Sequence, residues 1–338
     1  MMNFNFHNPT SLLFGSGTLH DLAKQPMPGK KALLLTSSGK STKVNGSFDC
    51  TVAGLEQAGV TYAVFNKIME NPLKDVIMEA AAFAKENGCD FIVALGGGAV
   101  LDASIAIAAM ATNPGDLWDY VQGGTGKGKP LVNKGLPIVT IATTAGTGSE
   151  INAFGVISNA ETKEKIGFGD PSLVPVLAIV DPELMKTVPP KYTAFQGFDA
   201  LFHNTEVIIS KGVNIISEVL ALSAIKNIAK YLPRAIKRGD DLTAREHVAY
   251  GSTIAGMAMQ RTSTTAKHAM EHSMSAYHRN LPHGAGLIMI SRAFYEFFIE
   301  RHAATGSLSR WQKQWDLKMP ISRRILSPPL LNCRRIAE

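Results

Sequence analysis

The chain has 338 residues, 45% of them apolar and 7% aromatic, with 30 glycines, three cysteines and a formal charge of +6. That length fits one large domain or two ordinary ones, and the apolar share is enough to fill a sizeable core. The charge would ordinarily raise nucleic acid or an anionic surface as a partner. It is concentrated at one end, however. From Gly306 onward there are seven basic residues (Arg310, Lys313, Lys318, Arg323, Arg324, Arg334, Arg335) and two acidic ones (Asp316, Glu338), so the tail carries +5 and the remainder is nearly neutral. Nucleic acid therefore loses its support. Cys50, Cys89 and Cys333 lie far apart without metal-type spacing, so a disulfide framework is not expected and a reducing cytoplasm is. No basic segment followed by an apolar run opens the chain, and no apolar stretch reaches the roughly 20 residues that span a bilayer. Neither export nor a membrane partner is expected.

The first half alternates β-rich runs with helical patterns. Residues 31–36 (KALLLT) and 61–65 (TYAVF) read as strands, and 72–88 as a helix ending on Gly88. Residues 91–95 (FIVAL) form a further apolar strand, followed by Gly96, Gly97 and Gly98 and an Ala/Ile-rich helix to about Thr112. Strands at 137–141 and 177–180 continue the series. Such alternation predicts a mainly parallel sheet covered on both faces. The character changes at Asp181-Pro182 and Val188-Pro189-Pro190. Beyond them, 193–211, 212–231, 242–260 and 265–277 read as helices. A domain boundary is expected near residue 185, with an α/β domain over 1–185 and a helical domain over 186–338.

Two loops carry nucleotide chemistry. Residues 95–102 (LGGGAVLD) sit where a strand hands over to a helix; glycines there permit a tight turn and let backbone N–H groups approach a phosphate. The spacing is not GxGxxG, and a tight turn of any α/β protein is the bland alternative. Residues 143–150 (TTAGTGSE) follow another strand and offer four hydroxyls and two glycines. Two such loops after two parallel strands favour a nucleotide at the sheet's carboxyl edge. Lys165 could add a point charge to a phosphate, although a surface lysine is the plainer reading.

A second constellation lies further on. Asp199 and His203 are four apart, which places carboxylate and imidazole on one helix face, and His268 and His272 repeat the spacing. His283 follows in a loop rich in His and Gly. One Asp and three or four of His203, His268, His272, His278 and His283 can converge, a mixed set suited to Fe(II), Zn(II), Co or Mn rather than Ca or Mg. No HExxH is present. A metal beside a nicotinamide would polarise an alcohol or carbonyl oxygen while the cofactor carries hydride.

These stretches resemble the iron-containing (group III) alcohol dehydrogenases, especially the butanol dehydrogenase and aldehyde reductase branch. The likeness runs over roughly residues 4–303 and rests on 8–10, 90–102, 136–150, 179–182, 197–203 and 268–286. It implies a Rossmann-like parallel-sheet domain and a helical domain of dehydroquinate synthase-like fold, with metal and nicotinamide in the cleft between them, and a homodimer. By that pattern Asp199, His203, His268 and His283 hold the metal, and His272 stands beside them as a non-ligand, a proton relay. Ser37, Asn71, Gly97, Gly98, Asp102, Thr143, Thr144, Thr147 and Lys165 line NAD or NADP. The expected activity is hydride transfer between that cofactor and a primary alcohol or aldehyde. A glycerol-dehydrogenase-like polyol oxidoreductase and a catalytically impaired remnant that binds nucleotide and metal are the alternatives.

The sequence departs from the family in three places. Ala99 and Ile105 stand where Ser and Lys are usual. Thr36 is followed by Ser37, Ser38, Gly39 and Lys40, with no carboxylate to repel a 2′-phosphate, which leans towards NADP. The tail from about residue 305 is basic and poorly amphipathic, and the likeness stops near Ala304. Reading triplets one base early from Arg310 to Asp316 gives Met/Leu/Val, Ala, Lys/Glu, Ala/Thr, Met/Val and Gly, with Ala and Gly forced. That resembles the Met-Ala-x-Ala-Met-Gly helix of the family, so a shifted reading frame is expected there.

Overall fold

A computed structural model describes residues 4–260 and 262–301. The tail from residue 305, and with it the expected frame shift, lies outside the described residues. The chain divides into two compact units. Of the described residues, one unit comprises Asn8–Thr144 with Ser149–Thr187, and the other comprises Ala145–Gly148 and the residues from 188 to 301, together with 4–7.

The α/β unit holds β1 (Ser11–Phe14), β2 (Lys31–Ser37), α1 (Ser41–Val44), α2 (Ser47–Gln57), β3 (Thr61–Ile68), α3 (Lys74–Glu86), β4 (Phe91–Gly96), α4 (Gly98–Met110), β5 (Ile138–Ala142), β6 (Phe154–Asn159), β7 (Glu164–Gly169) and β8 (Leu177–Val180). Six strands form a parallel sheet in the order β1-β8-β5-β4-β2-β3. β2, β4, β5 and β8 are continuous apolar runs because helices cover both faces. On one face, Leu34, Val93, Leu95, Ile141 and Ile179 form a core with Leu19, Leu22 and Leu55. The alternate residues, Leu33, Leu35, Ile92 and Ala94, are equally buried on the side of α4.

Every α4 residue from Val100 to Met110 is buried. A helix apolar all round must be covered all round, and here the sheet lies on one side and the antiparallel hairpin β6–β7 on the other. Gly155 of β6 makes this possible: a Cβ there would sit 2.4 Å from the Asp102 carbonyl oxygen. Asp102 Oδ2 accepts the Val156 N–H at 2.9 Å and pins hairpin to helix. Ile105 is fully buried on α4.

The helical unit contains α5 (Pro190–Ile209), α6 (Ile215–Lys237), α7 (Leu242–Met259), α8 (Ala266–Tyr277) and α9 (His283–Glu300). Pro190 starts α5 in the first turn, where a missing N–H costs nothing. Asn214 and Ser217 form a capping box on α6. Small residues let the helices approach: a Cβ on Gly197 would lie 2.2 Å from Leu232, and one on Gly251 2.4 Å from Ile228. The buried Arg245 donates to Thr193 Oγ1 and the Val188 carbonyl, tying α7 to the start of α5. α6 runs on through Pro233 to Lys237, past the expected end at 231, and His283 opens a helix rather than ending a loop.

Candidate metal centre

The Asp199 Oδ1 atom lies among three imidazoles. His268 Nε2 is 3.4 Å away, His283 Nε2 3.5 Å and His203 Nδ1 3.6 Å. α5 supplies Asp199 and His203 one turn apart, α8 supplies His268, and the first residue of α9 supplies His283. Two ligands about 2.0–2.2 Å from one ion at a tetrahedral angle stand roughly 3.3–3.6 Å apart, so these separations fit a shared divalent ion. Asp199, His268 and His283 each offer an atom within 4.8 Å of the others, and His203 is not part of that trio. Its ring stacks on His268 at 4.4 Å between centroids, and its Nδ1 lies 3.3 Å from the Gly146 carbonyl oxygen. His272 stands half-buried beside the group, with its ring 5.4 Å from His283. It also forms a second possible trio with Glu271 and His283. His278 caps the end of α8, exposed.

Electrostatics agree with a cation site. Burial opposes the charge on Asp199, but His203 and His283 and hydrogen bonds from His268 and His283 outweigh it and hold the carboxyl well below its usual range. Burial pushes His203 down to about 4, against the pull of Asp199, so its imidazole is neutral and able to ligate.

Sequence reasoning passed over the groups behind the ligands. His268 Nδ1 lies 2.6 Å from Glu206 Oε1, and His283 Nδ1 makes a very short contact with Glu271 Oε2. Lys267, fully buried, places Nζ 3.6 Å from Glu206 Oε1 and 3.1 Å from the centre of the Phe202 ring. Burial works against the Glu206 charge, yet His268 and Lys267 hold that carboxyl far below its ordinary range. Burial drives the Lys267 ammonium down, with Glu206 and Asp199 opposing. The available signal was spacing: Glu206 is three residues beyond His203 and seven beyond Asp199, and Glu271 is three beyond His268, on the same helix faces.

Five of the expected nucleotide residues lie at the carboxyl ends of strands of the α/β sheet. Ser37 ends β2, Gly97 and Gly98 join β4 to α4, and Thr143 and Thr144 follow β5. β2 and β4 are neighbours whose connections run in opposite directions along the sheet, the switch point where such folds open a crevice. A Cβ on Gly97 would lie 3.0 Å from Thr144, so a side chain there would fill the space between the two loops. Asn71 adopts a left-handed φ of 54° beyond β3. Asp102 is occupied by the hairpin. Lys165 is buried in β7 rather than free at the surface. Thr147 does not group with these residues, because Ala145–Gly148 belongs to the helical unit, where a Cβ on Gly148 would lie 2.6 Å from Gly256 N.

The model of the iron-containing alcohol dehydrogenases matches residues 9–182, and that of the family's C-terminal domain matches residues 193–309. Alcohol dehydrogenase 4 of Schizosaccharomyces pombe is 36% identical over 280 residues, a match that spans 82% of this chain and 65% of that protein. The probable NADH-dependent butanol dehydrogenase 1 of Bacillus subtilis is 36% identical over 294 residues, spanning 86% of this chain and 74% of that protein. Among solved structures, NADH-dependent butanol dehydrogenase A of Thermotoga maritima superposes with a TM-score of 0.85 at 31% identity, covering 100% of this chain and 83% of that one. The two family models meet the two units in order, and the chain belongs to the iron-containing alcohol dehydrogenase family.

Proposed function

We propose that this chain transfers hydride between NAD(P) and a primary alcohol or aldehyde, with a divalent metal held by Asp199, His203, His268 and His283. The observation that carries the reading is Asp199 Oδ1 at 3.4, 3.5 and 3.6 Å from three imidazole nitrogens. When bound, the metal supplies Lewis-acid polarisation of the substrate oxygen, and Fe(II) is favoured over Zn(II) by family membership. The nicotinamide supplies the hydride acceptor or donor.

The chain's own residues do the rest. His203, which burial keeps neutral, presents a ring nitrogen together with His268 and His283, and Asp199 brings a negative charge close to the ion. Phe198 and Phe202 are buried on α5, and the Phe202 ring lies under the Lys267 Nζ atom. His272 takes the alcohol proton at a ring nitrogen and passes it outward, a role its half-buried place next to His283 supports. Ser37, Asn71, Gly97, Gly98, Asp102, Thr143, Thr144 and Lys165 hold the dinucleotide, Asp102 by fixing the hairpin that backs α4. No carboxylate follows Thr36, which leaves room for a 2′-phosphate, whereas the Bacillus and Thermotoga relatives are named for NADH. Butyraldehyde is the first substrate to try, for the same reason. A homodimer in the cytoplasm completes the proposal.

The test is metal analysis of the purified protein, followed by butyraldehyde-dependent oxidation of NADH and of NADPH. Stoichiometric metal with turnover on either coenzyme is expected. Bound metal without turnover would favour the impaired remnant, and turnover on polyols alone would favour the glycerol-dehydrogenase-like alternative.

A further inference from the structure

We propose that Glu206 and Glu271 are positioning residues, each fixing one imidazole so that its Nε2 points at the metal position. The inference rests on the metal site proposed above and adds what orients it. The two arrangements match. In each, Nδ1 of a histidine faces a fully buried glutamate while Nε2 faces Asp199 Oδ1. An imidazole that donates from Nδ1 keeps its lone pair on Nε2, which is the atom a metal takes.

The surroundings of each glutamate are built for this task. Glu206 Oε2 accepts from the Thr265 N–H at 2.6 Å and from its hydroxyl at 2.7 Å, which holds Oε1 in place for His268. The same Oε1 is 3.6 Å from Lys267 Nζ, a full ångström farther than from His268 Nδ1. The ammonium therefore balances the buried charge without displacing the imidazole as closest partner. Lys267 is kept there by Tyr295, whose hydroxyl is 3.2 Å from Nζ, and by the Phe202 ring. On the other side, Gly286 lies one turn into α9 from His283. A Cβ there would come within 2.8 Å of Glu271 Cγ and 2.9 Å of its Oε1, so the absent side chain leaves the space that Glu271 occupies.

The test compares the wild-type protein with E206Q and E271Q. The first readout is the nitrogen-15 spectrum of the metal-free wild-type histidines above neutral pH. Nδ1–H tautomers at both His268 and His283 are expected, and an Nε2–H tautomer at either would overturn the proposal without any variant. The second readout is Zn(II) affinity by competition with a chromogenic chelator, together with the visible spectrum of the Co(II) form. Each variant is expected to bind one ion about 10–100-fold more weakly with an altered Co(II) spectrum. A folded variant with wild-type affinity and spectrum would overturn the proposal. If the wild-type chain binds no ion, or binds one that survives H268A, the metal-site reading itself has failed, which separates the two outcomes.

Discussion

At the scale of single residues, the proposed centre assigns Asp199, His203, His268 and His283 to the ion and His272 to the proton, and the two roles predict different losses. Asp199 is, among the described residues, the one carboxylate paired with all three imidazoles, so D199A and H268A should bind metal more weakly than the roughly 10–100-fold loss of a supporting residue. Equilibrium dialysis with Zn(II) checks this, and retained affinity in D199A would contradict it. His272 stands outside the Asp199 trio. H272Q should keep metal affinity within about twofold while kcat falls by about 10²–10⁴-fold, the span of a lost general acid–base group. A parallel loss of metal would instead make His272 a ligand. The candidate cluster was legible because an Asp and a His at i, i+4 on one helix are followed by two His at the same spacing on another, and the choice of four proposed ligands within it came from the family resemblance. Glu206, Glu271 and Lys267 were not, because a buried charge in an apolar helix looks like a surface charge until its partners from other helices are known.

At the scale of elements, two contacts make separate predictions. Gly155 sits where a Cβ would meet the Asp102 carbonyl at 2.4 Å. G155V should therefore lift the hairpin from α4 and cost about 1–3 kcal/mol, the usual penalty of overpacking. Urea unfolding measures it, and an unchanged midpoint would show that the hairpin yields freely. Asp241 caps α7 through the Ala244 N–H and pairs with Arg234, and these two contacts hold its carboxyl below the ordinary range. A depressed folded-state value contributes stability above the unfolded aspartate's pKa and loses it as pH falls through the folded value. D241A should thus have a lower Tm than the wild type near neutral pH, and the gap should close in acid. A gap independent of pH would assign the loss to packing alone.

The elements themselves were unevenly legible. β2, β4, β5 and β8 announce themselves as unbroken apolar runs since both their faces are covered. The hairpin β6–β7 escaped, because its strands carry Gly155, Gly167 and Gly169 and β7 is buried only at Lys165 and Phe168, with no strand periodicity. β1 is four residues long, too short for periodicity to register. α6, read as ending at 231, continues through Pro233 to Lys237.

At the scale of the whole chain, sequence and structure agree on an α/β part followed by helices, and one short internal segment departs from that order. Ala145–Gly148 reads as part of a phosphate loop by composition, yet it groups with the helical unit, where Gly148 takes φ 67° close against α7 and Gly146 offers its carbonyl to His203. Composition reports hydroxyls and glycines; only packing reports which partner they serve. The most direct measurement is aldehyde-dependent oxidation of NADH and NADPH by the purified chain before metal removal, after it, and after addition of Fe(II) or Zn(II). Turnover should vanish with the metal and return with it. Turnover that survives complete metal removal would contradict a reaction built on Asp199 and its three histidines.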